Sequence, residues 1–420
     1  MGVGCELPPV SVHAGLREPS TRRIEAQLAD TNHVLVALGE ERPDFDFFGS
    51  VVTLEELAGG GPSFAGKTVY LTGDISKLHQ LELKDAARVF VIEELSRNFG
   101  KDVELVGLGR VPIPAGGAGV YYRQFFDDAD DHFRNICAEH SFQALKESVK
   151  PSTAHRTGLY LSPVTQHGDE LHFNLLRCFT NLSGPTENFC ATDRRIVDAL
   201  NHEAASIFLD HARLNHVLAQ VYANTRASSG EKQTKAKISA HADKTKDMPV
   251  DGIMAFCTFY DQLGKLGQLT ADGFDYGYKG KTALTRLRFR LKQGLVVAAG
   301  QPAEFSLTLY PNSVFFMPLS TNRLYTHEIQ SSMLDAEMLP TRLGYVVRCS
   351  KTEAVHKDGT TFLKVDGQLV RMEPPTQEGM RELRALYAAE NGTHDFIEYG
   401  DRILFSMNSG DYLAPDDKRG

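Results

Sequence analysis

The sequence predicts an α+β protein: a β-sandwich or jelly-roll core backed by helices, behind a small α/β unit. Three observations carry this. Ile196 to Ala219 repeats apolar residues at helical spacing, through Ile196, Leu200, Ala204, Ile207, Phe208, Val217 and Leu218. From Val221 onward short β-rich runs separated by glycine turns take over. Ahead of both, a strand, a helix and a strand follow one another between Lys67 and Val106. A helical layer followed by a run of short strands is the pattern of a sandwich or jelly roll covered by helices.

Along the chain, the first fifty residues are polar and irregular, with Pro8-Pro9 and little periodicity. Lys67 to Thr72 is short and β-branched, as a strand should be. Leu81 to Phe99 has helical spacing and stops at Gly100, and Val103 to Val106 reads as a strand. Val111 to Gly119 is rich in Pro and Gly and reads as a linker or loop. Tyr121 to Phe126 opens a strand or helix, Ala129 to Val149 is helical, and Leu159 to Leu161 and Leu171 to Phe179 are strands before the Gly184-Pro185 break. The later strands are Gly252 to Tyr260, Ala283 to Leu291, Glu304 to Pro311, Val314 to Met317 and Arg342 to Cys349. After Val365 short helical and strand patterns alternate, and Asp416 to Gly420 reads as a disordered end. The divisions expected are 1–115, 116–366 and 367–420: an N-terminal extension, the jelly-roll unit, and a segment packing on it.

Composition narrows the class. A chain of 420 residues with 24% charged residues is ordinary for a globular protein of about two folding units. A net charge of −9 argues against a broad basic surface for gripping nucleic acid, and leaves a local basic groove open. No apolar run has the length of a membrane span, and the N-terminus lacks the plan of a signal peptide. Cys5, Cys137, Cys178, Cys190, Cys257 and Cys349 are scattered without a Cys-x-x-Cys, as expected of reduced thiols in a cytoplasmic or nuclear protein. Asn181-Leu-Ser and Asn391-Gly-Thr match the glycosylation pattern, which carries no weight without a secretory signal. Nothing in the sequence fixes an oligomeric state.

The chemistry gathers at Lys237-Ile-Ser-Ala-His241-Ala-Asp243-Lys244. On an extended strand, positions i and i+2 share a face, so His241 and Asp243 could grip one ion from one side. Such a pair alone arises often by chance. His327 follows, then Arg342 and, six positions on, Arg348. Two histidines and a carboxylate form the facial set of non-haem iron oxygenases. Gly61 to Thr68 fits the phosphate-binding pattern G-x-x-x-x-G-K-[ST], but Val69-Tyr70-Leu71 continues it as a strand where the motif needs a helix.

In order, these residues resemble the AlkB-like Fe(II)/2-oxoglutarate dioxygenases, over roughly Gly119 to Cys349. Gln220-Val221-Tyr222 stands where the family commonly has Asn-x-Tyr. The Asn224 to Lys235 insert is long and Lys-rich, and Gly344 and Val346 replace the usual Asn and Thr. These departures bear on the substrate rather than the metal. The resemblance implies a double-stranded β-helix, Fe(II) held by His241, Asp243 and His327, and 2-oxoglutarate and O2 completing the coordination. It implies Arg342 as the anchor of the far carboxylate, since a guanidinium forks a carboxylate with parallel hydrogen bonds. Tyr222 and Gln220 would line the cosubstrate site, and Arg348 would steady either the C1 carboxylate or Asp243.

Three functions stand side by side. One is oxidative demethylation or hydroxylation of a modified nucleobase, with Tyr121, Tyr122, Phe125 and Tyr160 stacking on the base and Lys232, Lys235, Lys237, Lys244 and Lys246 meeting phosphate. The second is the same chemistry on a small metabolite or protein side chain. The third, of another class, is a non-catalytic nucleotide-binding module at Gly61 to Thr68. His211 and His216 read as ordinary helix residues, and Glu328 points away from His327 on the opposite strand face.

Overall fold

The computed structural model describes residues 25–29, 32–39, 41–94, 103–146, 153–177, 182–224, 235–295, 301–400 and 403–417. The chain opens with β1 (His33–Ala37), β2 (Ser50–Thr53), α1 (Leu54–Ala58), β3 (Thr68–Gly73), β4 (Arg88–Glu94) and β5 (Glu104–Leu105). Their five strands form one parallel sheet in the order β2-β1-β3-β4-β5. Val34, Val36, Val69 and Leu71 pack on one face, and Leu35, Tyr70 and Ile92 on the other. Burial on both faces makes such strands continuous apolar runs. That corrects two expectations. His33–Ala37, inside the stretch read as irregular, is a fully buried central strand. The helix expected over Leu81 to Phe99 is instead β4, whose Val89-Phe90-Val91-Ile92 run mimics a buried helix, while residues 95–100 lie outside the described ones.

Next come β6 (Ile113–Pro114), β7 (Val120–Tyr122), α2 (His132–Glu139), β8 (Gln143–Lys146), β9 (Thr153–Ser162), β10 (Thr165–His167), β11 (Glu170–Leu175), β12 (Glu187–Asn188), α3 (Ala191–Ile207) and β13 (His216–Tyr222). The expected linker at Val111 to Gly119 is a hairpin at a sheet edge, where Pro114 is tolerated, turning at Gly116 (φ 58°) and Gly117 (φ 68°). The helix expected over Ala129 to Val149 ends at Glu139 and gives way to β8; residues 147–149 lie outside the described ones. Likewise the long helix stops at Ile207. The Asn201 side chain turns the chain back by accepting from the Leu214 N–H (2.9 Å) and donating to its carbonyl (2.9 Å). Val217 and Leu218 therefore belong to β13. His211 sits in the connection, and His216 opens the strand rather than lying on a helix.

The remaining elements are β14 (Ile238–His241), β15 (Ile253–Asp261), β16 (Gly267–Leu269), β17 (Asp272–Tyr278), β18 (Lys281–Thr282), β19 (Arg286–Leu291), β20 (Glu304–Thr308), β21 (Ser313–Pro318), α4 (Leu319–Leu324), β22 (Tyr325–Gln330), β23 (Thr341–Arg348), β24 (Thr352–Lys357), β25 (Thr360–Val365), β26 (Gln368–Arg371) and α5 (Gln377–Gly392). A nine-stranded sheet runs β12-β9-β13-β23-β15-β21-β7-β6, with β8 also on β9, and a four-stranded sheet runs β14-β22-β19-β20. Met254, Phe256, Phe315 and Met317 of the large sheet meet Leu287, Phe289, Tyr325 and Ile329 of the small one in a shared core. The other face of the large sheet is covered by α2 and α3, through Ile136, Ile196, Leu200, Ala204 and Ile207 against Val217, Ala219, Leu343 and Val347. A third, antiparallel sheet, β10-β11-β24-β25-β26, flanks this core. The chain is thus strand-rich with helices on one side, as the α+β expectation requires.

Two ties join the parts. Glu203 of α3 accepts from Arg88 Nη1 of β4 (2.9 Å) and from the Tyr122 hydroxyl (2.6 Å). Asp416, expected in a disordered end, exchanges backbone hydrogen bonds with Thr186 and Asn188 (both 2.9 Å); residues 418–420 lie outside the described ones. Cys137, Cys190, Cys257 and Cys349 are free thiols, and Cys5 and Cys178 lie outside the described residues. No helix among the described residues is long and apolar enough to cross a membrane.

Candidate active site

β14 and β22 run antiparallel with His241 directly opposite His327, which brings the two rings to 4.5 Å between centroids. Asp243 is not on the strand with His241: β14 ends at His241. Asn322 of α4 holds the Asp243 backbone instead, accepting its N–H (2.8 Å) and donating to its carbonyl (2.9 Å). The carboxylate is thereby swung between the imidazoles. Its Oδ1 lies 3.6 Å from His241 Nε2 and 4.0 Å from His327 Nε2. His241 Nδ1 donates to the Ser239 carbonyl (2.9 Å), which leaves Nε2 as the free acceptor.

The protonation states suit a cation. Burial pushes the His327 imidazole down to about 3, so it is neutral and able to ligate. Burial opposes ionisation of Asp243, but the Arg348 guanidinium holds its carboxyl well below the usual range. Two imidazole nitrogens and a carboxylate oxygen, all within 4.8 Å of one another, fit a divalent ion of the iron type.

A second polar centre lies along the inner face of the large sheet. Tyr222 and Arg342 are cross-strand partners, and the guanidinium stacks over the ring at 4.0 Å. Arg342 is 5% exposed, and its Nε and Nη2 are buried with no hydrogen-bond partner. Buried guanidinium nitrogens are costly to leave unpaired, so this group is built to receive an anion. Gly344 makes the room: a Cβ there would stand 2.8 Å from Arg342 Nη1 and 3.2 Å from the Tyr222 ring. Gln220 Oε1 accepts the Tyr222 hydroxyl (2.8 Å) and fixes the ring. Arg348 faces the other way, onto Asp243.

Both centres open into one cavity of about 520 Å³, with a largely apolar wall that includes Leu176, Leu218, Phe256 and Val346. That size suits a small ligand. No family model matches the chain, and no curated protein matches it. Among solved structures it is similar to a prolyl-4-hydroxylase from Pseudomonas putida, at 12% identity and TM-score 0.27, over 52% of this chain and 82% of that one. It is also similar to OsALKBH1, at 12% identity and TM-score 0.32, over 55% of this chain and 97% of that one. A third is the epimerase SnoN in complex with Fe3+, alpha-ketoglutarate and nogalamycin RO, at 11% identity and TM-score 0.30, over 56% of this chain and 81% of that one.

Sequence reasoning brought His241, Asp243, His327, Arg342, Arg348, Tyr222 and Gln220 to this cavity, and the structure places all seven in its lining. It missed Asn322 and α5. Asn391, set aside as a chance glycosylation match, accepts the N–H of Ala242, between the two candidate ligands of the His-x-Asp pair (3.0 Å). Side-chain to backbone bonds across such separations leave no local pattern, so no sequence signal marks them.

The proposed stacking residues are elsewhere. Tyr121 belongs to the inter-sheet core, Tyr122 and Phe125 to the core under α3, and Tyr160 to a small cluster with Leu145, Leu182 and Leu218. The basic run also dissolves: Lys244 Nζ donates to the Tyr387 carbonyl (3.2 Å), Lys235 to that of Ser332 (3.2 Å), and Lys246 is buried against Asp247 (3.4 Å). Lys237 is exposed and absent from the cavity lining, and Lys232 lies outside the described residues, with most of the insert. Glu328 pairs with Arg288 (3.3 Å), consistent with its facing away from the site. At Gly61 to Thr68 the chain passes directly into β3, with no helix to aim amides at phosphate.

Proposed function

We propose that the chain is an AlkB-like Fe(II)- and 2-oxoglutarate-dependent dioxygenase that hydroxylates a C–H bond. The observation that carries this is the pairing, in one cavity, of the His241, Asp243 and His327 donor set with a buried arginine whose Nε and Nη2 have no partner. A cation site and a carboxylate site together fit a metal and a dicarboxylate cosubstrate. The strand order supports the reading: β13, β15, β21 and β23 adjoin in the large sheet, and β14, β19, β20 and β22 form the small one, as in a double-stranded β-helix. On this reading residues 116–366 form the oxygenase unit, 1–115 an extension, and 367–420 a segment that completes the pocket.

His241, Asp243 and His327 would hold iron, which when bound couples oxidative decarboxylation of 2-oxoglutarate to oxidation of a substrate C–H bond. The chain's own residues do the rest. Arg342 receives the far carboxylate, and Tyr222, locked by Gln220, keeps the guanidinium flat and its fork aimed. Arg348 holds Asp243 ionised and oriented. The apolar wall excludes water from the reacting centre. Because the expected base-stacking aromatics are buried in cores, a compact substrate is favoured over a nucleobase in a polynucleotide. Succinate release from 2-oxoglutarate, dependent on Fe(II), tests the reading. Undiminished release by Asp243→Ala would reject it.

A further inference from the structure

Resting on that reading, we infer that the substrate is a small organic acid, a carboxylate or phosphate on an apolar body, whose anionic group is received by Arg384 of α5. The chain as a whole carries a net charge of −9, yet its cavity lining holds Arg156, Arg342, Arg348, Arg384 and Lys244 against a single carboxylate, Asp243. Arg348 is committed to that carboxylate, and Lys244 donates to the Tyr387 carbonyl. Arg342 lies beneath the cosubstrate position. The side chains of Arg156 and Arg384 remain, with no hydrogen-bond or ion-pair partner among the described residues. A cationic pocket in an acidic protein is a selective feature, because the surrounding surface repels what the pocket attracts.

Geometry singles out Arg384. The face of α5 toward the cavity is Arg384, Tyr387, Ala388 and Asn391, at spacings that share one side of a helix. That face is pinned to the metal loop by Asn391 on Ala242 and by Glu390, which accepts from the Thr245 N–H (3.1 Å) and hydroxyl. Arg384 stands two turns before Asn391, roughly 10 Å along the axis. It is exposed, so it is free to swing over a ligand entering from solvent. The same cavity is lined by Leu176, Leu218 and Phe256, an apolar wall that suits a ring or alkyl body. A polynucleotide is disfavoured: of the lining aromatics, Tyr222 is covered by Arg342, and Tyr387 and Phe256 are buried, so no open stacking platform is offered.

The experiment is calorimetric titration of the full chain, loaded anaerobically with Fe(II) and 2-oxoglutarate. The probes are benzyl phosphate, phenylacetate, the neutral benzyl alcohol, and a short single-stranded oligothymidylate. At least one of the two anions should bind, and which one does decides between phosphate and carboxylate. The alcohol should bind at least about tenfold more weakly, the worth of one charge-assisted hydrogen bond. Arg384→Ala should lose a similar factor and Arg384→Lys should keep part of it. Arg156→Ala serves as the comparison variant. Equal affinity for the alcohol, failure of both anions to bind, or loss in Arg156→Ala alone would overturn the assignment. Salt-sensitive oligothymidylate binding that displaces the anions would overturn the small-molecule class. Iron and 2-oxoglutarate titrations of the same samples are the separate readout of the oxygenase reading, so the two can fail independently.

Discussion

Arg348 places both Nη2 and Nε on the same oxygen of Asp243, at 2.7 and 3.2 Å, while the other oxygen faces His241 and His327. Of the two roles the resemblance left open for this arginine, the structure shows the contact with Asp243. Both side chains are about nine-tenths buried, at 8% and 12% exposure, so the pair is shielded from solvent screening.

Arg348→Ala therefore strands a buried carboxylate between two imidazoles. We expect a loss of stability of about 3–5 kcal/mol in urea unfolding, and a fall in Fe(II) affinity larger than any change in the KM for 2-oxoglutarate. The reverse ordering, with KM dominant, would place Arg348 on the cosubstrate.

For Arg342 the expectation is opposite. Arg342→Ala should raise the KM for 2-oxoglutarate by a factor corresponding to about 3–5 kcal/mol, with Fe(II) affinity little changed. Arg342→Lys keeps the charge and loses the fork, so it should fall between. Succinate release at saturating iron measures both. A wild-type KM in Arg342→Ala would mean that the far carboxylate is anchored elsewhere.

Asn322 is 1% exposed and makes two hydrogen bonds to the Asp243 backbone. Asn322→Ala should destabilise the fold by about 1–3 kcal/mol and weaken iron binding, since the carboxylate loses its approach to the histidines. Asn322→Asp keeps an acceptor for the Asp243 N–H but loses the donor, and should lie between. Iron titration followed at constant folded fraction separates the two effects.

His140 gives a pH dependence remote from the site. Its Nδ1 meets Glu187 (2.8 Å) and its Nε2 meets Asp193 (2.7 Å). Burial opposes the imidazolium, but the two carboxylates outweigh it and raise the group from 6.5 to about 9. A raised folded value stabilises fully below the unfolded value and is lost as pH climbs through the folded one. Up to roughly 3 kcal/mol should disappear between about pH 6.5 and 9. The urea midpoint of wild type should drop across that window, while His140→Gln should start lower and stay level. A flat wild-type curve would contradict this.

What the sequence shows and what it hides divides on physical lines. The order His241, Asp243, His327, Arg342, Arg348 is legible because the chemistry tolerates few residue types at each place. The alternation of β13 is legible in retrospect, with Val217 and Ala219 toward α3 and Gln220 and Tyr222 toward the cavity. Its false continuation of α3 arose because the turn at Asn201 is a tertiary contact. β4 was hidden for a different reason: a strand buried on both faces loses its period of two. The clasp of Asn322 and the covering face of α5 are long-range contacts between polar side chains and backbone. No composition or spacing rule reports them.

The site's dependence on Asn391 has a consequence for the order of synthesis. All three candidate ligands and both arginines have been translated once Arg348 is made, yet the acceptor for the Ala242 amide is translated later, on α5. A nascent chain therefore carries every ligand before the loop that presents them has its latch.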